Sequence, residues 1–184
     1  LLMALESVHL IHPGCKVTSK RNSNAVPYGP SLLGRIIDGM GRPIDGKGPL
    51  LAPQRDGFYA EPPNPLSRSL IAETFATGIK SIDTFVPLGN GQRIGIFSGS
   101  GVGKSILLGM IARGSESDIN VISLVGERGR ELREFVENDL GPEGMAKSVI
   151  VVSTSDQPAP MRIRASILAT ALAEGFRDQG SKVL

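Results

Sequence analysis

Ser98-Gly99-Ser100-Gly101-Val102-Gly103-Lys104-Ser105 is the stretch whose reading decides the fold. It follows a short apolar run, Arg93 to Ser98, that reads as a strand. It opens a helical pattern, Lys104 to Arg113, with Leu107, Met110 and Ile111 at i, i+3 and i+4. Glycines at 99, 101 and 103 let backbone N–H groups turn inward and surround an anion, where side chains would block the approach. The helix N-terminus adds the positive end of its dipole. Lys104 then brings an ammonium to the β and γ phosphates of a nucleotide, and Ser105 offers a hydroxyl to Mg²⁺. The stretch matches GxxxxGK[ST] except at its first position, where Ser98 replaces glycine. The plain alternative is a Gly-Ser loop with a chance Lys-Ser. The strand before it and the helix after it argue against that.

Toward the carboxyl end, strands and helices alternate. Asn120 to Val125 is apolar and β-branched, as expected of a strand buried on both faces. Arg130 to Leu140 carries Leu132, Phe135, Val136 and Leu140 on one helical stripe, and Gly141-Pro142 reads as its stop signal. Val149 to Ser153 is a third buried strand, and Met161 to Arg177 a longer helix with Ala165, Leu168 and Leu172 inward. Lys182-Val183-Leu184 begins a fourth strand. This alternation predicts an α/β fold: a parallel sheet with right-handed crossovers and helices on both faces.

Toward the amino end the pattern is looser. Gly29-Pro30, Asp38-Gly39, Gly41-Arg42-Pro43, Asp45-Gly46 and Gly48-Pro49 punctuate one apolar strand, Leu32 to Ile37, and Pro62, Pro63 and Pro65 stiffen the chain beyond it. Residues 26–65 therefore read as a connector between domains, 66–184 as the first part of the α/β domain, and 1–25 as the end of a small β domain. His9, His12 and Cys15 lie close in sequence, but their spacing matches no zinc pattern and a fourth ligand is missing. The chain starts on Leu1 and stops within an apolar run, so the sequence reads as a fragment of a longer protein.

Composition narrows the class. A net charge of +2 is too small to argue for nucleic acid or an anionic membrane, and 4% aromatic residues leave no obvious base-stacking platform. The single cysteine precludes an internal disulfide framework and suits a reducing cytosol. No apolar stretch approaches the ~18–20 residues needed to span a bilayer.

Two more constellations sit where strands end. Val125-Gly126-Glu127-Arg128-Gly129-Arg130-Glu131 puts Glu127 at the carboxyl end of the second strand, the edge of a parallel sheet where ligands sit. A carboxylate there can orient or deprotonate a water aimed at the γ-phosphate, and Arg128 can compensate charge on the transferring group. From the residues alone, a Glu-Arg pair after a strand is more often a solvated turn. Thr154-Ser155-Asp156-Gln157-Pro158 ends the third strand, with Arg162 and Arg164 in the following helical turn. Cations oppose the dipole at that end, so they point either to an anion or to a pairing with Asp156 or Glu174.

The segment Gly91-Gln92-Arg93-Ile94-Gly95-Ile96-Phe97 leading through Ser98–Ser105 into Leu107-Leu108-Gly109-Met110-Ile111-Ala112-Arg113 resembles the flagellar type III protein-export ATPases. So do Leu124 to Glu131 and Glu137-Asn138-Asp139-Leu140-Gly141. Upstream, Gly34-Arg35, Pro43-Ile44-Asp45-Gly46 and Thr77-Gly78-Ile79-Lys80-Ser81-Ile82-Asp83 resemble the stretch leading into that family's ATPase domain. The resemblance covers most of the chain from residue 26 onward.

That family is similar to the catalytic subunit of rotary ATP synthases. It implies a RecA-like P-loop domain behind a small N-terminal β-barrel, and a homo-oligomeric, hexameric ring with nucleotide between subunits. It also implies ATP hydrolysis, with Mg²⁺, coupled to the handling of export substrates and chaperones. Its partners would be stator and membrane export-gate proteins, in the cytoplasm or peripherally at the inner face of the membrane, with no transmembrane segment and no nucleic acid. Carried over by residue, Gly99, Ser100, Gly101, Val102 and Gly103 form the cradle, Lys104 and Ser105 the P-loop pair, Glu127 the catalytic glutamate and Arg128 its neighbour. Ser98 departs from the alanine usual in the family. The 184 residues alone are expected to hydrolyse ATP barely or not at all, with the Mg²⁺ carboxylate and any neighbouring arginine finger outside them. A rotary ATP synthase catalytic subunit, a non-catalytic nucleotide-binding ring subunit and a hexameric RNA translocase share the core. The export-family wording argues against the first, Glu127 against the second, and the charge balance against the third.

Overall fold

In the computed structural model, residues 4–6, 8–9, 11–18, 24–55, 57–99 and 101–184 are described. The first ladder is β1 (Val26–Pro27). A single 3₁₀ turn separates it from β2 (Arg35–Asp38), and β3 (Gln54–Arg55) returns antiparallel to β1. β4 (Thr74–Phe75) and β5 (Leu88–Gly89) pair antiparallel around α1 (Lys80–Phe85). α2 (Lys104–Gly114) leads into β6 (Asn120–Val125). α3 (Gly129–Glu134) runs into a π-helix, Phe135–Leu140, and α4 (Gly141–Ala146) comes next. β7 (Ser148–Ser153) and the long α5 (Ala159–Asp178) complete the series.

The parallel sheet has the order β2-β7-β6. Val183 makes a parallel bridge to Ile119, so the expected fourth strand starts on the outer edge of β6. Helices cover both faces, as the alternation of side chains requires. Val149 and Val151 of β7 face α5, packing with Ile37, Ala165, Leu168 and Leu172. Ile150 and Val152 face the other way, onto Ala112, Phe135 and Leu140. All six residues of β7 are buried, and between its two serines Val149 to Val152 form an unbroken apolar run.

Two expectations differ from the structure. Arg93–Ser98 forms no ladder among the described residues, and Phe97 is 95% exposed. A strand exists only through a partner's hydrogen bonds, and the outer edge of β6 is taken by Leu184, which accepts from Val121 N and donates to Ile119 O. Ile94 and Ile96 instead line, with Leu108, Ile111 and β6, a groove of about 460 Å³.

Second, the segment expected to be a connector enters the sheet. Arg35 to Asp38 pair in parallel register with Val149 to Val152, and Val26, Leu32, Ile37 and Phe58 are buried against α5. The stop signal at Gly141-Pro142 falls where expected: the π-helix ends at Leu140, Gly141 breaks the helical path as its C-cap with φ +63° and ψ 178°, and Pro142 lies in the first turn of α4, where proline's missing N–H costs nothing.

Candidate functional site

Two glycines of the P-loop stretch adopt backbone conformations that favour glycine. Gly101 (φ +76°) and Gly103 (φ +91°) lie in the left-handed region, and Gly103 O accepts from Leu107 N at 2.9 Å to begin α2. A Cβ placed on Gly99, Gly101 or Gly103 would meet nothing within 4 Å, so the loop backbone faces open space. Ser100 lies outside the described residues. Val102 is exposed and its side chain does not line the cleft.

That open space is a cleft of about 410 Å³. One wall is Gly99, Gly101, Gly103, Lys104 and Ser105, and the other is Glu127, Glu131, Glu134 and Asp139. The structure therefore brings Lys104, Ser105 and Glu127 together although they come from different elements. Glu127 is half-buried just past the end of β6. Its backbone is held on both sides: Gly126 N donates to Ser153 O at 2.8 Å, and Ser155 N donates to Glu127 O at 3.1 Å. Arg128 is exposed and pairs with Glu131 at 3.4 Å. It does not line the cleft.

Glu131, Glu134 and Asp139 escaped the sequence reading. Glu131 and Glu134 share a helical face at i, i+3, a pattern that was visible. Asp139 was not. In an α-helix it would be carried away from that face, and the wider π turn brings it back. Gly109 of α2 makes room for this turn: a Cβ there would collide with the Asp139 carbonyl oxygen and sit 2.7 Å from its carbon.

Four carboxylates opposite one lysine would repel a bare polyphosphate. The same wall suits a polyphosphate carried with a hard divalent cation, which takes oxygen ligands. The Ser105 hydroxyl and the Glu127 and Glu131 carboxylates are oxygen donors of that kind.

The remaining constellations lie elsewhere. Asp156, Gln157 and Pro158 line a different, open cleft with Glu6, His9 and Arg42. There the Thr154 hydroxyl holds the Asp156 carboxyl below its ordinary range. Arg164 sits over the Phe58 ring, 4.2 Å from its centre. Cys15 is exposed, and His12 Nδ1 contacts its neighbour's carbonyl, Pro13 O.

Residues 78–184 match the ATP synthase alpha/beta family, nucleotide-binding domain. The whole chain is 52% identical to the flagellum-specific ATP synthase of Bacillus subtilis (strain 168) over 186 residues, 42% of that protein's length. Among solved structures, the chain resembles the assembled ATPase EscN of the enteropathogenic E. coli type III secretion system. The TM-score is 0.87 at 47% identity, covering 97% of this chain and 43% of that one. The same ATPase in complex with its central stalk EscO gives a TM-score of 0.79 at 51% identity, over 87% and 40%. The chain thus spans about two fifths of the length of the curated relative.

Proposed function

The chain belongs to the ATP synthase alpha/beta family, and from that premise we propose that it carries the phosphate-binding half of an ATPase site that energises type III, flagellar-type, protein export. The observation that carries this reading is the cleft where Lys104 and Ser105 face Glu127. A binding-only ring subunit would need the lysine but not the carboxylate.

In this reading the N–H groups of residues 99–103 cradle the phosphates. Lys104 neutralises charge between the β and γ groups, and Glu127 orients or deprotonates the attacking water. The Ser155 N–H held on the Glu127 carbonyl supports that role, because it fixes the backbone from which the carboxylate projects. Mg²⁺, when bound, would offset phosphate charge, and the Ser105 hydroxyl would be its ligand from this chain. Arg128 is proposed to compensate charge on the transferring group from its place beside Glu131.

The assembled relatives support a homo-oligomeric ring, which we take as hexameric, working with a stalk or stator protein, export substrates, their chaperones and a membrane export gate. We place it in the cytoplasm, peripherally at the membrane. No helix of the described residues is long and apolar enough to cross one.

Lys104→Ala in the full-length protein tests the reading. Steady-state ATP hydrolysis should fall by roughly 10²-fold or more, since the lysine works chiefly on charge in the transition state. Turnover at the wild-type rate would refute the assignment.

A further inference from the structure

The two walls of the cleft come from different elements, and something must set Lys104 against Glu127. Lys104 opens α2, and Glu127 comes just after β6. Apolar contacts between them, through Ala112, Ile122 and Leu124, are non-directional and do not fix how far the helix slides along the strand. A directional tie is present at the opposite edge of the sheet.

Asn120 is the first residue of β6 and is 0% exposed. Its Nδ2 donates to Ala112 O at 2.8 Å and to Ser148 Oγ at 3.2 Å, and its Oδ1 accepts from Ser117 Oγ at 2.7 Å. Ala112 O is one of the last four carbonyls of α2, which have no partner inside the helix. One side chain thus caps the helix that begins at Lys104, and its own backbone starts the strand that leads to Glu127. The surroundings stiffen it. Ser117 Oγ also bonds Ser115 Oγ at 2.9 Å, Lys147 Nζ reaches Ser115 O and Ser117 O, and Ser148 Oγ donates to Gly144 O at 2.6 Å.

We propose that Asn120 is a positioning residue for hydrolysis, setting the axial register of the P-loop helix on β6 at which Lys104 and Ser105 face Glu127. This rests on the function proposed above. Lys104 lies about 12 Å along the helix from Ala112, and Glu127 about 23 Å along the strand direction from Asn120, so slack at the tie reaches the cleft undivided. Phosphate binding uses groups of the loop and the start of α2 alone and survives such slack. Hydrolysis needs both walls.

The experiment compares Asn120→Ala and Asn120→Ser with Ser148→Ala in the full-length protein. Ser148→Ala cuts the same buried network without freeing the Ala112 carbonyl. Three readouts are taken: kcat for ATP, Kd for a fluorescent ATP analogue, and Tm. Both Asn120 variants should lose roughly ten- to hundredfold in kcat, the scale of a displacement near 1 Å. Kd should stay within about threefold, separating binding from chemistry. Ser148→Ala should lower Tm comparably and keep kcat within about twofold of wild type. Asn120→Ser keeps a hydroxyl for Ser117 and supplies a folded variant if alanine does not.

Equal kcat losses in the Asn120 and Ser148 variants at matched Tm, or unchanged kcat in the Asn120 variants, would overturn the proposal. Failure of the underlying functional reading looks different: the wild-type protein would not hydrolyse ATP, or Lys104→Ala would leave its rate intact.

Discussion

At the residue scale, Lys104 and Glu127 reach one cleft from opposite walls and should leave different kinetic signatures. Glu127→Gln preserves shape and removes the ability to take a proton. Nucleotide binding should stay within a few fold, since the cradle is untouched, while the hydrolysis rate should drop by roughly 10²–10⁴. Single-turnover hydrolysis alongside equilibrium binding separates the two, and a wild-type rate would remove Glu127 from the chemistry. Lys104 and Ser105 were legible in sequence because the motif fixes both spacing and context. Glu127 was half-legible: its place after a strand was clear, but nothing local told a catalytic carboxylate from a solvated one. Asp139 was illegible, since its arrival at the cleft depends on a π turn that 3.6-residue periodicity does not encode.

At the element scale, the cleft depends on how closely the π-helix approaches α2. Gly109→Ala would drive a methyl group into the backbone of Asp139, which no rotamer change relieves. Chemical denaturation should show a loss of about 1–3 kcal/mol, the usual scale of overpacking. Unchanged stability would mean the two helices separate freely.

A second element-scale test concerns β2. The Asp45 carboxylate accepts from Arg35 Nε at 2.7 Å, Arg35 Nη2 at 3.0 Å, Lys47 N at 3.0 Å and Ile36 N at 3.1 Å, with its side chain only 3% exposed. The Arg35 guanidinium, then the two backbone N–H groups, hold its pKa far below the usual carboxylate range, against the opposing effect of burial. A lowered folded-state pKa gives stability that is present above the unfolded value, about 3.9, and is lost as pH falls toward the folded value. Asp45→Asn should therefore cost about 2–4 kcal/mol at neutral pH. It should also flatten the fall in stability below about pH 4. Parallel acid titrations of the two proteins would show neither effect if the pair were idle. β2 is four residues of a turn-rich stretch. Its apolar residues were visible in sequence, but its partner, more than a hundred residues away, was not.

At the scale of the whole molecule, that distant pairing changes where the folded unit begins. The alternation of strands and helices made the parallel sheet and its two helical layers legible, because burial on both faces leaves continuous apolar runs such as Val149 to Val152. Strand order was not legible, since a short strand reads the same whether it pairs locally or far away. Arg93–Ser98 shows the converse, an apolar run without a ladder among the described residues. With β2 on the edge of β7, and Val26, Leu32 and Ile37 fully buried against the α5 layer, residues 26–58 cover core rather than join domains. Removing them would uncover apolar surface of the α5 layer and leave the edge of β7 unpaired, the kind of edge that promotes strand-to-strand aggregation. A chain starting at residue 66 should thus give weak secondary-structure signal and aggregate. One starting at residue 24 should fold with the same α/β circular-dichroism signature and the same slow-exchanging β7 amides as the longer protein. Equal folding of both chains would restore the connector reading and make β2 an accessory to a sheet that stands without it.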